Sequence, residues 1–354
     1  MKLSGKITAA ALAVLLAASA AGCADKSWAA KSDSLTVPIG AYIYNLYAAY
    51  AQAQSKAPDQ SKAVLGQKIE NKDASAWIRA KALTYTKEFF VIDKKMKDLK
   101  LSLTADEKKQ AGQMTDQAWS SYSSAFQKYG IAKSSFQMAY ADNAYKESKV
   151  FDAVYGKGGA KAVPDADLKS YYAKTYTNFS YLRYPLYTTN ADGSMKAAFS
   201  AADKKKAEGV LDGYAAQMKA GKMTPQQAGD ALKKVLKSSS DQLNSTVADL
   251  ATDTSMPQTL VKTLKAMKTG EIKTVEVKDD NAYYLLVKND IQKDADEKLK
   301  DDSGRKQILS AYKWQEFSDG LAKEADALSG VTLNDAAISS YDPSMFADTS
   351  SSTS

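Results

Sequence analysis

The chain has 354 residues, 44% of them hydrophobic and 25% charged, with a formal net charge of +7. These fractions suit a folded chain with room for two domains and exclude a disordered, collagen-like or multi-span membrane protein. Histidine is absent and cysteine occurs once, at Cys23, which removes Ser-His-Asp and Cys-His catalysis, histidine-ligated zinc, CxxC chemistry and any intrachain disulfide.

Lys2 and Lys6 precede an uncharged, alanine-rich run from Ile7 to Ala21. The run is shorter than the roughly 20 apolar residues a bilayer helix needs, and it has the form of a secretory signal-peptide core. It ends Ala20-Ala21-Gly22-Cys23, which resembles the lipobox of bacterial lipoproteins. The resemblance implies removal of residues 1–22 and lipidation of Cys23. The mature chain would then be anchored to the outer face of the bacterial cytoplasmic membrane, each buried methylene contributing about 0.8 kcal/mol. The alternatives are an ordinary secretory peptide with an incidental cysteine, or a buried N-terminal helix. Residues 23–34 read as a polar tether.

Ile39, Ile43, Leu46, Tyr47 and Tyr50 recur at helical spacing, which predicts a helix from Val37 to about Ala53 with Pro38 in its first turn. A second helix is expected from Ser75 to Leu99, where Ile78, Tyr85, Phe89, Ile92, Met96 and Leu99 form an a/d seam. Thr104 and Glu107 make a capping-box signature for a third helix, with Ala111, Met114, Ala118, Tyr122, Ala125 and Tyr129 on one face. A fourth is expected from Lys133 to Tyr155, closed by Gly156. Residues 35–162 therefore read as a helical module whose stripes are core packing.

The texture changes at Val163. A short helix carrying Leu168, Tyr171 and Tyr172 leads into an aromatic and branched stretch, Phe179 to Tyr187, that reads as a strand. Asp192-Gly193 marks a turn. Helices are expected at Ala201–Lys219, Pro225–Leu236 and Met256–Lys268, then strands at Ile272–Val277 and Ala282–Val287. The order β-α-α-α-β-β describes a small α+β domain. Helix returns from Ala295 to Leu328, and after residue 341 the polar, serine-rich tail is expected to be disordered.

Val163-Pro-Asp-Ala-Asp-Leu-Lys-Ser-Tyr-Tyr, running into Phe179-Ser-Tyr-Leu-Arg-Tyr-Pro-Leu, resembles the start of the parvulin domain in PrsA/SurA-like foldases. Met256-Pro257, Lys268-Thr-Gly-Glu-Ile272 and Ala282-Tyr-Tyr-Leu-Leu-Val287 are similar to that domain's end. The resemblance covers about residues 163–292. It implies an α+β fold in which a mainly helical chaperone module, 35–162 completed by a C-terminal helix at 295–340, carries a parvulin-like insert. The family places histidines on the first and last strands of the insert. Here Tyr184 and Tyr284 are read at those positions, and the glycine-rich turn of active members is missing between Leu236 and Met256. Pro185 lacks a ladder donor, so its strand is expected at an edge or distorted.

The resemblance implies a membrane-anchored chaperone that binds unfolded secreted polypeptides, with Tyr184, Met256 and Tyr284 as candidate groove residues. Tyr184 and Tyr284 can equally be plain packing residues. Isomerase activity is left open: prolyl isomerisation needs no proton transfer, but two tyrosines do not reproduce an imidazole pair. The alternatives are a working peptidyl-prolyl isomerase and a non-chaperone lipoprotein such as a solute-binding receptor, against which the long helical start counts. The lysines are scattered among acids, as in Asp203-Lys204-Lys205-Lys206, so no nucleic-acid partner is expected. No residue pattern calls for a metal or cofactor.

Overall fold

The structure is a computed structural model that describes residues 27–190 and 195–351. Cys23, residues 1–22, expected to be a signal peptide, and Asp192-Gly193, expected to be a turn, lie outside the described residues. In chain order the elements are β1 (Trp28–Lys31), β2 (Thr36–Pro38), α1 (Ile39–Lys56), β3 (Lys68–Ile69), β4 (Lys72–Asp73), α2 (Ala74–Asp98), α3 (Ala105–Lys128), α4 (Lys133–Gln137) and α5 (Asn143–Tyr155). They continue with α6 (Asp165–Thr175), β5 (Thr177–Pro185), β6 (Tyr187–Thr189), β7 (Met195–Ala198), α7 (Ala201–Lys219), α8 (Pro225–Leu236) and β8 (Asn244–Ala248). Last come α9 (Gln258–Ala266), β9 (Ile272–Val277), β10 (Ala282–Lys288), α10 (Ile291–Lys298), α11 (Asp302–Asp326), β11 (Thr332–Leu333), α12 (Asp335–Ser339) and a 3-10 helix, Pro343–Ser351. The fold is α+β and mainly helical. Among the described residues no helix is long and apolar enough to cross a membrane.

The described residues divide into two compact units, residues 27–153 with 316–351, and the described residues within 154–315. In the first, α1 and α2 form where their sequences predict, with ends shifted by one to three residues. The Asp73 carboxylate accepts the Ala76 N–H at 3.1 Å and caps α2. Ile78, Phe89, Ile92 and Met96 are buried, while Leu99, last in the seam, is exposed. The Thr104–Glu107 capping box is closed in both directions, at 3.1 and 2.7 Å. On α3 the buried residues are Ala111, Thr115 and Phe126, so the inward stripe lies one step round from the expected one and Tyr122 falls at its exposed margin.

Four sequence expectations change here. Residues 28–31 are not tether: β1 is the central strand of a β11-β1-β2 sheet, with Ala29 and Ala30 fully buried. Pro38 closes β2 and stands at the N-cap of α1, outside its first turn. The tail beyond residue 341 is ordered as far as Phe346, which is buried against Tyr47, Tyr50 and Tyr129, and Arg79 holds the Tyr341 carbonyl and the Asp342 carboxylate. One large aromatic, with Met345 packed on the same core and the Arg79 contacts, docks an otherwise polar tail. The expected fourth helix is also interrupted: a π turn at Met138–Asp142 separates α4 from α5, and the Asn143 N–H reaches the Met138 carbonyl.

The second unit is built on a four-stranded antiparallel sheet in the order β8-β5-β10-β9. The expected β-α-α-α-β-β order lacks β8, which stands between α8 and α9 in the polar stretch Asn244–Ala248. Of the edge or distorted strand that Pro185 predicts, the edge position is not found: β5 is an inner strand. The proline is its last residue, β8 pairs only with Thr177–Tyr181, and Pro185 meets Ala282 alone. Its missing N–H therefore costs no inner ladder bond. One face of the sheet packs Leu182, Tyr184, Tyr283 and Leu285 against Leu211 and Leu232 of α7 and α8. The other packs Phe179, Tyr181, Tyr284 and Leu286 with Leu260, Val261 and Leu264 of α9. Gly270 turns the chain into β9 at φ +79, a left-handed backbone that favours glycine, and its N–H bonds the Lys288 carbonyl at 2.7 Å.

Candidate functional site

Strand alternation decides which predicted site residues can meet. Tyr184 pairs with Tyr283 and Arg183 with Tyr284, so Tyr184 and Tyr284 point to opposite faces. Tyr184 lies against Phe199 edge-on, with ring centroids 6.5 Å apart, among the residues under α7 and α8. Met256 and Tyr284 lie together on the α9 face. The first-strand residue that joins them is Tyr181, whose ring centroid is 5.8 Å from that of Tyr284. Sequence reading missed it by one strand parity. Alternation along each strand alone could not have found it: the parity that Tyr284 shares with Arg183 and Tyr181 is fixed by the β5–β10 register.

At the open end of this face a charged group is built on Asp280. Arg183 donates to its carboxylate through Nε at 2.7 Å and Nη2 at 3.1 Å, and the Tyr284 hydroxyl donates to the same group. Partial burial works to raise the Asp280 carboxyl, but the hydrogen bonds from Arg183 and Tyr284 outweigh it and hold the group below its ordinary range. Burial, and then the neighbouring Asp280, push the Tyr284 phenol above its usual value. At neutral pH the site thus holds an ionised carboxylate, a guanidinium and a neutral phenol. General acid–base work favours a group that titrates near the working pH, so the face is suited to binding instead. Aromatic and apolar side chains flank one ion pair.

The same unit has a concavity of about 430 Å³ at the other end of β5, bordered by Tyr176, Asn178, Lys265 and Lys288. Lys288 is committed to structure there, donating to the carbonyls of Leu264 and Met267 at 2.9 Å each, where α9 ends.

The first unit carries an aromatic band that sequence reading divided among separate helix stripes. Tyr44 and Tyr47 of α1, Trp119, Tyr122 and Phe126 of α3, and Phe136 and Tyr140 meet with ring centroids between 4.8 and 6.3 Å apart. Phe126 and Phe136 are buried at its centre, whereas Tyr122 is 54% exposed and Tyr44, Trp119 and Tyr140 are half-buried. The band is a core that runs out to the surface.

No family model matches the chain, and no curated protein matches it. Among solved structures it is similar to the foldase protein PrsA from Lactococcus lactis, at 16% identity over 91% of this chain and 99% of that one, with a TM-score of 0.37. It is similar to PrsA from Streptococcus pneumoniae at 14% identity over 74% and 88% of the two chains, TM-score 0.35. PrsA from Bacillus subtilis matches at 18% identity over 83% and 93%, TM-score 0.23.

Proposed function

We propose that the protein is an extracytoplasmic chaperone of the foldase type, anchored through lipidated Cys23, that holds extended segments of unfolded secreted polypeptides. The observation that carries this reading is the aromatic band of the first unit. Tyrosine and tryptophan at a surface present a large apolar area with a polar tip, which suits reversible contact with varied chains. The chain spends 21 tyrosines against 9 phenylalanines, in keeping with such surfaces. The test is suppression of aggregation of an unfolded secreted protein. Tyr122→Ser should weaken it several-fold and Tyr122→Phe should leave most of it, since an exposed residue of this kind carries contact energy without holding the fold. Failure of the wild type to suppress aggregation would sink the reading.

A second reading, a prolyl isomerase, draws on the α9 face of the parvulin-like unit. The barrier to be lowered is about 18–20 kcal/mol and arises from amide resonance, so a pocket that binds the twisted amide through Tyr181, Met256 and Tyr284 suffices in principle. In a proline-limited refolding assay this reading requires turnover that falls in Tyr181→Ala and stays intact in Tyr184→Phe. The chaperone-only reading requires the uncatalysed rate throughout.

A further inference from the structure

A separate concavity of about 490 Å³ opens in the first unit where the end of α2, the 99–104 link, the first turn of α3 and the π turn contribute side chains. Its volume is that of a small-ligand site and too little for a folded partner. Met96, Leu101 and Leu103 give it apolar walls, while Lys97, Lys108 and Lys146 also line it. Lys97 is spoken for by Asp93 at 2.7 Å, and Asp142 accepts from Gln137 at 3.4 Å. Lys108 and Lys146 have no ion pair or side-chain hydrogen bond among the described residues. The π turn inserts an extra residue at this wall, placing Gln137 and Asp142 at the rim, and such turns recur at functional sites.

We propose that this pocket binds an apolar group bearing a single carboxylate, with Lys108 and Lys146 pairing the anion and Met96, Leu101 and Leu103 receiving the hydrocarbon. Charge complementarity sets the class. Two unneutralised lysines against the one carboxylate of Asp142 leave a single positive charge, and the apolar walls disfavour a bare inorganic ion. Two sources share this chemistry, a free aliphatic acid and the carboxy end of a peptide with an apolar last residue. The site lies outside the isomerase face, and its readout is independent of aggregation suppression, so either proposal can fail alone.

The experiment is calorimetric titration of the full chain with octanoate, with N-acetyl-Leu-Leu, and with the C-terminal amide of that peptide. At least one carboxylate probe should bind, more weakly as salt rises, and the amide should bind at least about ten-fold more weakly than its acid. Lys108→Gln and Lys146→Gln should each weaken binding about three-fold, and the double variant about ten-fold, with unchanged thermal melts. Binding of octanoate alone assigns the site to free acids, and binding of the peptide acid alone assigns it to chain ends; both outcomes support the proposal. Absence of binding by either carboxylate, equal binding of the amide, or a double variant that binds like wild type overturns it.

Discussion

Tyr184 and Tyr284 stand on opposite faces of one sheet, because each pairs across β5 and β10 with the other's sequence neighbour, Tyr284 with Arg183 and Tyr184 with Tyr283. No single pocket contains both. Replacing Tyr184 therefore acts on the packing beneath α7 and α8, whereas replacing Tyr181 or Tyr284 acts on the face beneath α9. The Asp280 cluster belongs to the second set, tying β5 to the turn that precedes β10.

Asp280→Asn is expected to destabilise the second unit by about 1–3 kcal/mol at neutral pH, because it leaves the Arg183 guanidinium half-buried without its charge partner. The sign with pH follows from the depressed carboxyl. Its stabilising contribution is fully present above the ordinary value of 3.8 and is lost as pH falls through the lower folded value. Denaturant unfolding of wild type and variant should differ most near neutrality and converge in strong acid. A constant difference across pH would mean that the ion pair is not the cause.

The opposite sign is expected in the first unit. Burial, followed by the charge of Glu147, pushes Glu88 up to about 8, and burial pushes Glu147 itself up to about 7. A carboxyl raised in the folded state gives stability that is full below its unfolded value of 4.5 and is lost as pH rises through the folded value. Glu88→Gln should accordingly raise the melting temperature by a few degrees at about pH 9 and change little near pH 4 to 5. A variant that is less stable at both ends would show that Glu88 has a structural partner its charge supports.

How much of this was legible in the sequence follows from range. The helices carry their own signals: the a/d seam puts α2 at Ser75–Leu99 against the observed Ala74–Asp98, and Thr104 with Glu107 starts α3. The β1-β2-β11 sheet has none. Trp28–Lys31 and Thr332–Leu333 are too short for alternation to show, and Ala30 finds Leu333 only after the whole second unit has intervened. β8 is polar because it borders a single strand at an edge. In the candidate site, the residue types were visible, but the face each occupies depends on a register fixed by pairing.

Asn45 and Thr86 provide a coupled pair in the helical core. Asn45 Nδ2 donates to Thr86 Oγ1 at 3.0 Å, and that hydroxyl donates to the Ala82 carbonyl at 2.8 Å, with both residues buried. Thr86→Val keeps the shape but strands a buried amide donor, and should cost about 1–3 kcal/mol. Asn45→Leu combined with Thr86→Val removes both polar groups, so the double variant should be more stable than the sum of the single losses implies. Strict additivity in denaturant unfolding would show that the two side chains are not coupled.

Phe346 tests whether the last residues belong to the fold. Its ring lies 4.9 Å from Tyr129 and 5.5 Å from Tyr47, centroid to centroid, both edge-on, and it is fully buried. Phe346→Ala removes an aromatic from a closed site and should cost about 3–5 kcal/mol, the usual range for such a deletion in a core. Cutting the chain after Tyr341 should cost at least as much, because it also takes away the Asp342 carboxylate that pairs with Arg79. Both variants should lower the melting temperature of the first unit, and Phe346→Leu should recover part of the loss by refilling the volume. A truncated chain that melts with wild type would mean that the segment packs without holding anything, and would return it to the disordered tail its composition suggests.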